Sequence, residues 1–244
     1  MYFTLCVLGS GSFCTTLLAT ATPLEGSDPD IEPTLVVLKK KKIAASESHP
    51  VIEQMETELN ALRQLSNLSC DYLPRIYGNV VNGLTIADGV EFIPMLPVGQ
   101  SLETRCALLT PQKRLTEALV LYQHITAGLR AAHTLQLCPR DMRPDNVVYD
   151  QTKSCYVVID WGLADFPGAI MHQHRGGRAY CHDAIVDAMN HLNRIPFRPE
   201  HDLEAARYIA YVFSRGPSFD TSSWDRLSRS FIPTRARIVG EFCA

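Results

Sequence analysis

The sequence predicts an α+β protein in two parts: an N-terminal antiparallel sheet with one helix, then a mainly helical C-terminal part. Three observations carry this expectation. Short apolar runs punctuated by Gly, Pro and Asp dominate the first 95 residues. The longest apolar stripe of three-and-four spacing comes later, over 111–135. Between them, Leu96-Pro97-Val98-Gly99 breaks both patterns. The expected parts are residues 1–95 and 96–244.

The elements follow in order. Phe3-Thr4-Leu5-Cys6-Val7-Leu8 reads as a strand, Gly9-Ser10-Gly11-Ser12 as a turn, and 15–21 as a returning strand. Residues 24–33 carry Pro, Gly, Ser and Asp and read as a loop. Leu35-Val36-Val37-Leu38 is a short buried strand. Over 50–65, the residues Val51, Met55, Leu59, Leu62 and Leu65 share one helical face. Residues 84–95 read as strands around a turn at Asp88-Gly89. The long helix at 111–135 has the stripe Leu115, Leu119, Tyr122, Ile125 and Leu129. Val147-Val148-Tyr149 and Tyr156-Val157-Val158-Ile159 form a strand pair. A last helix, 202–213, turns Leu203, Ala206, Ile209, Ala210 and Phe213 inward.

Composition excludes several classes. With 46% apolar and 20% charged residues, the 244-residue chain is globular, not disordered. A net charge of −3 is wrong for a general polyanion binder, so no nucleic-acid partner is expected. The run Lys39 to Lys42 reads as a solvated strand end unless chemistry claims one of its lysines. Eight cysteines without a C-x-x-C pair argue against a zinc site or a disulfide framework. They imply reduced thiols and a cytoplasmic or nuclear protein. No apolar run approaches the ~20 residues of a membrane helix, so no membrane partner is expected. The apolar N-terminus has no leading Lys or Arg, and its Gly-Ser turn interrupts it, unlike a signal peptide.

Chemistry concentrates between the long helix and the next strands. Arg140-Asp141-Met142-Arg143-Pro144-Asp145-Asn146 is a loop of charges between rigid elements, and Asp160-Trp161-Gly162 follows the second strand. Phosphoryl transfer needs a base, metal ligands and cations for spreading charge, and these residue types supply all of them.

The pattern resembles the protein kinase superfamily, whose loop reads H-R-D-x-K-P-x-N and is followed by D-F-G. The resemblance implies a bilobal fold that binds ATP and Mg²⁺, a transferase of the serine/threonine kinase type acting on a protein substrate. It makes Asp141 the catalytic base, Arg143 the cation on the transferred phosphate, and Asn146 and Asp160 the metal ligands. Leu8-Gly9-Ser10-Gly11-Ser12-Phe13 is similar to the glycine-rich loop L-G-x-G-x-F, where backbone approaches phosphate. Val36-Val37-Leu38-Lys39 resembles V-A-I-K, so Lys39 would contact the α/β-phosphates and Glu58 would orient it. Lys40 is the alternative to Lys39, and a structural ion pair the alternative for Glu58. Met95 to Gly99, with Pro97, would line the adenine site. His201-Asp202-Leu203-Glu204 resembles the start of the large lobe's central helix.

The chain departs from the family pattern in several places. Cys14 replaces the third glycine, Pro139 the histidine, and Trp161 the phenylalanine. From Gly162 to Tyr180 there is no Ser or Thr, so an acid such as Asp165 is expected to meet Arg140 in place of a phosphate. Gly176-Gly177-Arg178-Ala179-Tyr180 resembles G-T-x-x-Y without its Thr. Cys181-His182-Asp183-Ala184 stands where A-P-E would be. His172, His174, His182 and Asp183 could form a metal site or an exposed loop. Thirty-one residues follow Phe213, so the lobe is minimal, a partner covers it, or the chain is incomplete. Each case predicts an apolar patch beside the central helix. Two other readings stay open: a pseudokinase scaffold, and a small-molecule phosphotransferase, since Ile159-Asp160-Trp161 resembles the I-D-W of aminoglycoside and choline kinase relatives.

Overall fold

A computed structural model describes residues 2–10, 14–22, 33–42, 49–78, 85–87, 90–169, 180–191 and 194–218. They fall into two compact units, one of Met1–Ser69 with Pro74–Val98 and one of Cys70–Leu73 with Gly99–Ala244. The architecture is α+β and kinase-like: an antiparallel sheet with a helix in the first unit and mostly helices in the second.

The first unit is a six-stranded antiparallel sheet in the order β1-β2-β3-β6-β4, with β5 also paired to β6. Its strands are β1 (Tyr2–Ser10), β2 (Cys14–Ala21), β3 (Thr34–Lys41), β4 (Arg75–Ile76), β5 (Thr85–Ala87) and β6 (Val90–Leu96). β3 runs three residues past the expected Leu38 because it is paired on both sides. Lys39 lies opposite Thr16 on one flank and Ile93 on the other. Strand alternation sends Val36 and Leu38 into a cluster with Ala19, Ala21 and Phe92. The single helix α1 (His49–Leu65) buries Met55, Leu59, Leu62 and Leu65, as its spacing predicts. Ile76 N–H donates to Ser66 Oγ at 3.1 Å, tying the end of α1 to β4.

The second unit centres on α3 (Pro111–Thr134) packed against α5 (Pro199–Arg215). Thr110 caps α3 by accepting from Lys113 N–H, with Pro111 at the first helical position. The expected α3 stripe is rotated. Leu115 and Leu119 are exposed, while Ala118, Leu121, Ile125, Gly128, Leu129 and Ala132 are buried. Small residues let neighbours approach closely there, so burial follows shape, not residue size. In α5, Ala206, Ile209, Ala210 and Phe213 are buried as expected, but Leu203 is only half-buried, and Tyr208 and Ala205 take core positions. Among the described residues, no large apolar side chain of α5 is exposed, whereas Leu115 and Leu119 of α3, which packs against it, are.

Shorter elements escaped the periodicity. β7 (Gln100–Ser101) joins β8 (Val147–Asp150) and β9 (Cys155–Val158) in a three-stranded sheet, and Ser101 caps α2 (Leu102–Ala107). Gly99 is required here: a Cβ on it would lie 2.6 Å from Val148 Cβ. α4 (Asp183–Asn190) was also unforeseen. Arg105 and Tyr156 share Glu117, at 2.8 and 2.7 Å from its Oε1, which satisfies a buried tyrosine between α2, α3 and β9.

The segment Cys70–Leu73 belongs to the second unit through α3. Tyr72 stacks on His124 with centroids 4.6 Å apart, and its carbonyl lies where a Cβ on Gly128 would meet it at 2.8 Å. In an isolated helix, Gly→Ala gains roughly 1 kcal/mol. At Gly128 the sign reverses: Gly128→Ala is expected to cost about 1–3 kcal/mol through overpacking against Tyr72. Urea unfolding measures it, and a stabilised variant would contradict the close approach.

Candidate functional site

In the first unit the sequence-selected residues centre on one ion pair. Lys39 Nζ lies 2.5 Å from Glu58 Oε2; the Glu58 side chain is 1% exposed and that of Lys39 15%. Alternation along β3 turns Lys40 to the opposite face, so Lys39 is the lysine that meets α1. Dehydrating two charges costs as much as their attraction returns, and an apolar pair would hold the fold equally well. Fold stability alone therefore gives a weak reason for this pair. Lys41, expected as part of a solvated strand end, pairs with Glu91 at 3.0 Å.

Gly9 and Ser10 end β1, opposite Thr16 and Thr15. A Cβ on Gly9 would meet nothing within 4 Å, so packing does not require this glycine. Gly11 and Phe13 lie outside the described residues. Met95 is buried inside the sheet, with Val37 and Ile76 as register partners, and Pro97 follows the end of β6.

In the second unit the loop from Pro139 to Asn146 is tied by its own side chains. Asn146 is buried, and its Nδ2 donates to Asp141 O at 2.8 Å and to Asp141 Oδ2 at 3.2 Å. Those two bonds set the amide so that its oxygen is left as an acceptor. Ile159 N–H donates to Asn146 O at 2.8 Å, which fastens the residue before Asp160 to the loop. Asp160 has φ of +62°, a left-handed conformation uncommon for a non-glycine residue. Its neighbour holds it there: Trp161 is fully buried and donates from Nε1 to Val158 O at 3.1 Å. Such strain persists where surrounding contacts over-determine it, often at functional sites. Arg143 is partly exposed and lies 3.3 Å from Asp145. The structure thus brings Lys39 to Glu58 in one unit, and Asp141 to Asn146 in the other.

The loop hangs from a buried carboxylate whose role sequence reasoning missed. Asp202 Oδ1 accepts from Arg140 N–H, and its Oδ2 lies 3.3 Å from His133 Nε2. Burial pushes the Asp202 carboxyl up, against the lowering effect of His133 and Arg140. Cys138 is pushed up to about 12, by burial first and Asp202 second, so it stays a thiol. His133, Cys138 and Asp202 bring their polar atoms within 4.8 Å of one another, and the Cys138 thiol hydrogen-bonds Asp202. His133 and Asp202 are 69 positions apart, and no local pattern links them. The expected partner of Arg140 is present: Arg140 Nη1 lies 2.6 Å from Asp165 Oδ2.

His172 and His174 lie outside the described residues. His182 is a helix cap: its Nδ1 accepts from Ala184 N–H at 3.0 Å, at the start of α4. His201 Nδ1 accepts from Arg198 N–H at 3.2 Å, and His201 N–H donates back to Arg198 O at 3.0 Å, at the start of α5. The two rings pack 4.7 Å apart beside a cavity of about 10 Å³ that Arg140, Tyr180 and Asp202 also line.

No protein-family model matches the chain. Curated relatives do. Serine/threonine-protein kinase H2 of Homo sapiens is 27% identical over 198 residues, 78% of this chain and 47% of that protein. Casein kinase II subunit alpha' of Saccharomyces cerevisiae is 25% identical over 140 residues, 57% of this chain and 40% of that protein. Mitogen-activated protein kinase 4 of Mus musculus is 25% identical over 174 residues, 68% of this chain and 28% of that protein. The chain spans less than half the length of each of these three.

Two outcomes test this geometry. Lys39→Met strands a buried carboxylate and is expected to cost about 3 kcal/mol, whereas Lys39→Met with Glu58→Leu recovers most of it. A chemical-denaturation cycle reads both, and additive losses would mean the two side chains are not coupled. His201 is pushed down to about 4, by burial first and His182 second. Its folded value is below its unfolded one, so its contribution is complete above about pH 6.5 and is lost as pH falls toward 4. The unfolding constant should rise by up to about tenfold per pH unit across that window. The slope should flatten in His201→Gln, which keeps a side-chain cap; equal slopes would refute the assignment.

Proposed function

The chain belongs to the protein kinase-like superfamily, and from that premise we propose that it binds Mg-ATP and transfers the γ-phosphoryl group to Ser or Thr hydroxyls of a protein substrate. The observation that carries the reading is the buried Lys39–Glu58 pair. It holds an ammonium at fixed position where the sheet needs no charge. Gly9 agrees with it, being a glycine on an open strand end with no packing role.

When bound, Mg-ATP supplies the phosphoryl group and the cation that neutralises its charge. Lys39, held by Glu58, would bind the α/β-phosphates together with Gly9, Ser10, Gly11 and Phe13, and Met95 and Pro97 would bind the adenine. Asn146 and Asp160 would hold Mg²⁺: one presents an amide oxygen fixed by its bonds to Asp141, the other a carboxylate on a strained backbone. Asp141 would accept the proton of the attacking hydroxyl. Arg143 would meet the transferred phosphate with donors that a lysine lacks. We further propose that residues 1–95 and 96–244 act as the two lobes of one kinase domain.

Serine/threonine kinase names among the relatives support a protein substrate. No described helix is long and apolar enough to cross a membrane. A cytoplasmic or nuclear setting is part of the proposal, from the scattered cysteines without a C-x-x-C pair. A scaffold without turnover is the second reading. Its support is the replacement of A-P-E by Cys181-His182-Asp183-Ala184, where His182 caps a helix instead.

Transfer of labelled phosphate from ATP to a mixed peptide pool tests the proposal. Asp141→Asn should lower transfer by roughly 10²–10⁴-fold while keeping the Mg-ATP-induced rise in Tm. Asp160→Asn should weaken both. Binding without transfer by the wild-type chain would favour the scaffold. Label only on sugars or amines would favour a small-molecule phosphotransferase.

A further inference from the structure

Asp165 is joined to the loop before Asp141 at two levels. In the backbone, Cys138 N–H donates to Asp165 O at 2.8 Å, and Asp165 N–H donates to Cys138 O at 3.0 Å. This isolated antiparallel bridge fixes the Asp165 backbone beside the residue two before Arg140. In the side chains, Arg140 Nη1 reaches Asp165 Oδ2 at 2.6 Å, while Asp165 Oδ1 accepts from Phe166 N–H at 2.9 Å. Both carboxylate oxygens are therefore held within the chain.

Arg140 needs such an anchor. Its φ is +67°, in the left-handed region, and its side chain is 17% exposed. A charge so enclosed must be matched by a counter-charge. Asp202 takes the Arg140 backbone N–H and acts on the guanidinium only through charge at longer range, and Phe197 offers its ring, 5.8 Å from the guanidinium. Among the contacts described, Asp165 is the carboxylate in direct contact with the guanidinium. Because Asp141 is the next residue, whatever fixes the Arg140 backbone also fixes where Asp141 begins.

We propose that Asp165 is a positioning residue for Asp141: a permanent counter-charge that locks Arg140, so the loop is ordered without any added phosphate. This rests on the phosphoryl-transfer reading. The sequence agrees with it, because Tyr180 is the only hydroxyl residue between Gly162 and Tyr180. An added anion would have to displace a carboxylate already in a charge-assisted bond. The geometry therefore predicts a loop that is always set, not one switched by modification.

The test uses the purified chain as wild type before and after phosphatase treatment, with Asp165→Asn and Asp165→Glu. Hydrogen exchange over 138–146 and Mg-ATP-dependent transfer are both measured. Phosphatase should change neither. Asp165→Asn should lower kcat by about tenfold or more with KM for ATP within about twofold. It should speed exchange by about tenfold, confined to 138–146 and 160–168. Asp165→Glu, which keeps the charge, should restore most of both. A wild-type kcat and exchange pattern in Asp165→Asn would overturn the proposal, as would lost activity after phosphatase. Faster exchange throughout 99–218 would also overturn it, since that is general destabilisation. If no form transfers phosphate, the kinase reading fails by itself, and the exchange arm still decides whether Asp165 sets the loop.

Discussion

A carboxylate as deep as that of Asp202, 1% exposed, persists only if its surroundings donate to it. The donors come from three places outside α5: the Arg140 backbone, the His133 ring at the end of α3, and the Cys138 thiol. Satisfying one group therefore forces two helices and the loop before Asp141 to meet. The rest of that loop follows. Arg140 is held in a left-handed conformation, Asp165 neutralises its side chain, and Asn146 closes the far end onto Asp141. A chain of single bonds would be loose. This one is rigid because its anchor Asp202 and its far end Asn146 are buried, and each buried polar group must be satisfied.

The sheet unit repeats the principle with a different group. Glu58 is as buried as Asp202, and Lys39 satisfies it from a strand fixed on both edges. Two-sided pairing removes the freedom a strand end would have, so the ammonium is positioned by backbone geometry before the ion pair forms. Trp161 acts similarly for Asp160, anchoring a strained residue by burying its neighbour. In each case an uncommon conformation or charge is held by ordinary packing beside it.

Much of this was legible in the residues. The three long helices and the main strands follow from apolar period, and an acid meeting Arg140, Asp165 or another, was expected from the family resemblance together with the lack of Ser or Thr after Gly162. The α3 stripe did not. Leu115 and Leu119 look like core residues by hydropathy yet face outward, because Gly128 and the alanines give the tighter surface for Tyr72 and α5. α2, α4, β4 and β7 are too short for a period to rise above noise. His182 looked like a candidate metal ligand and is a helix cap.

What the order of residues decides here is local: the element types, the loop between α3 and β8, and which side chains carry charge or a hydroxyl. Periodicity and turn chemistry act over a few positions, so they can be read along the chain. Partnership across distance needed the fold. His133 with Asp202, Tyr72 with Gly128, and Lys39 over Lys40 for Glu58 are chosen by which groups become buried together. Burial is a property of the packed molecule, and no stretch of chain holds it alone.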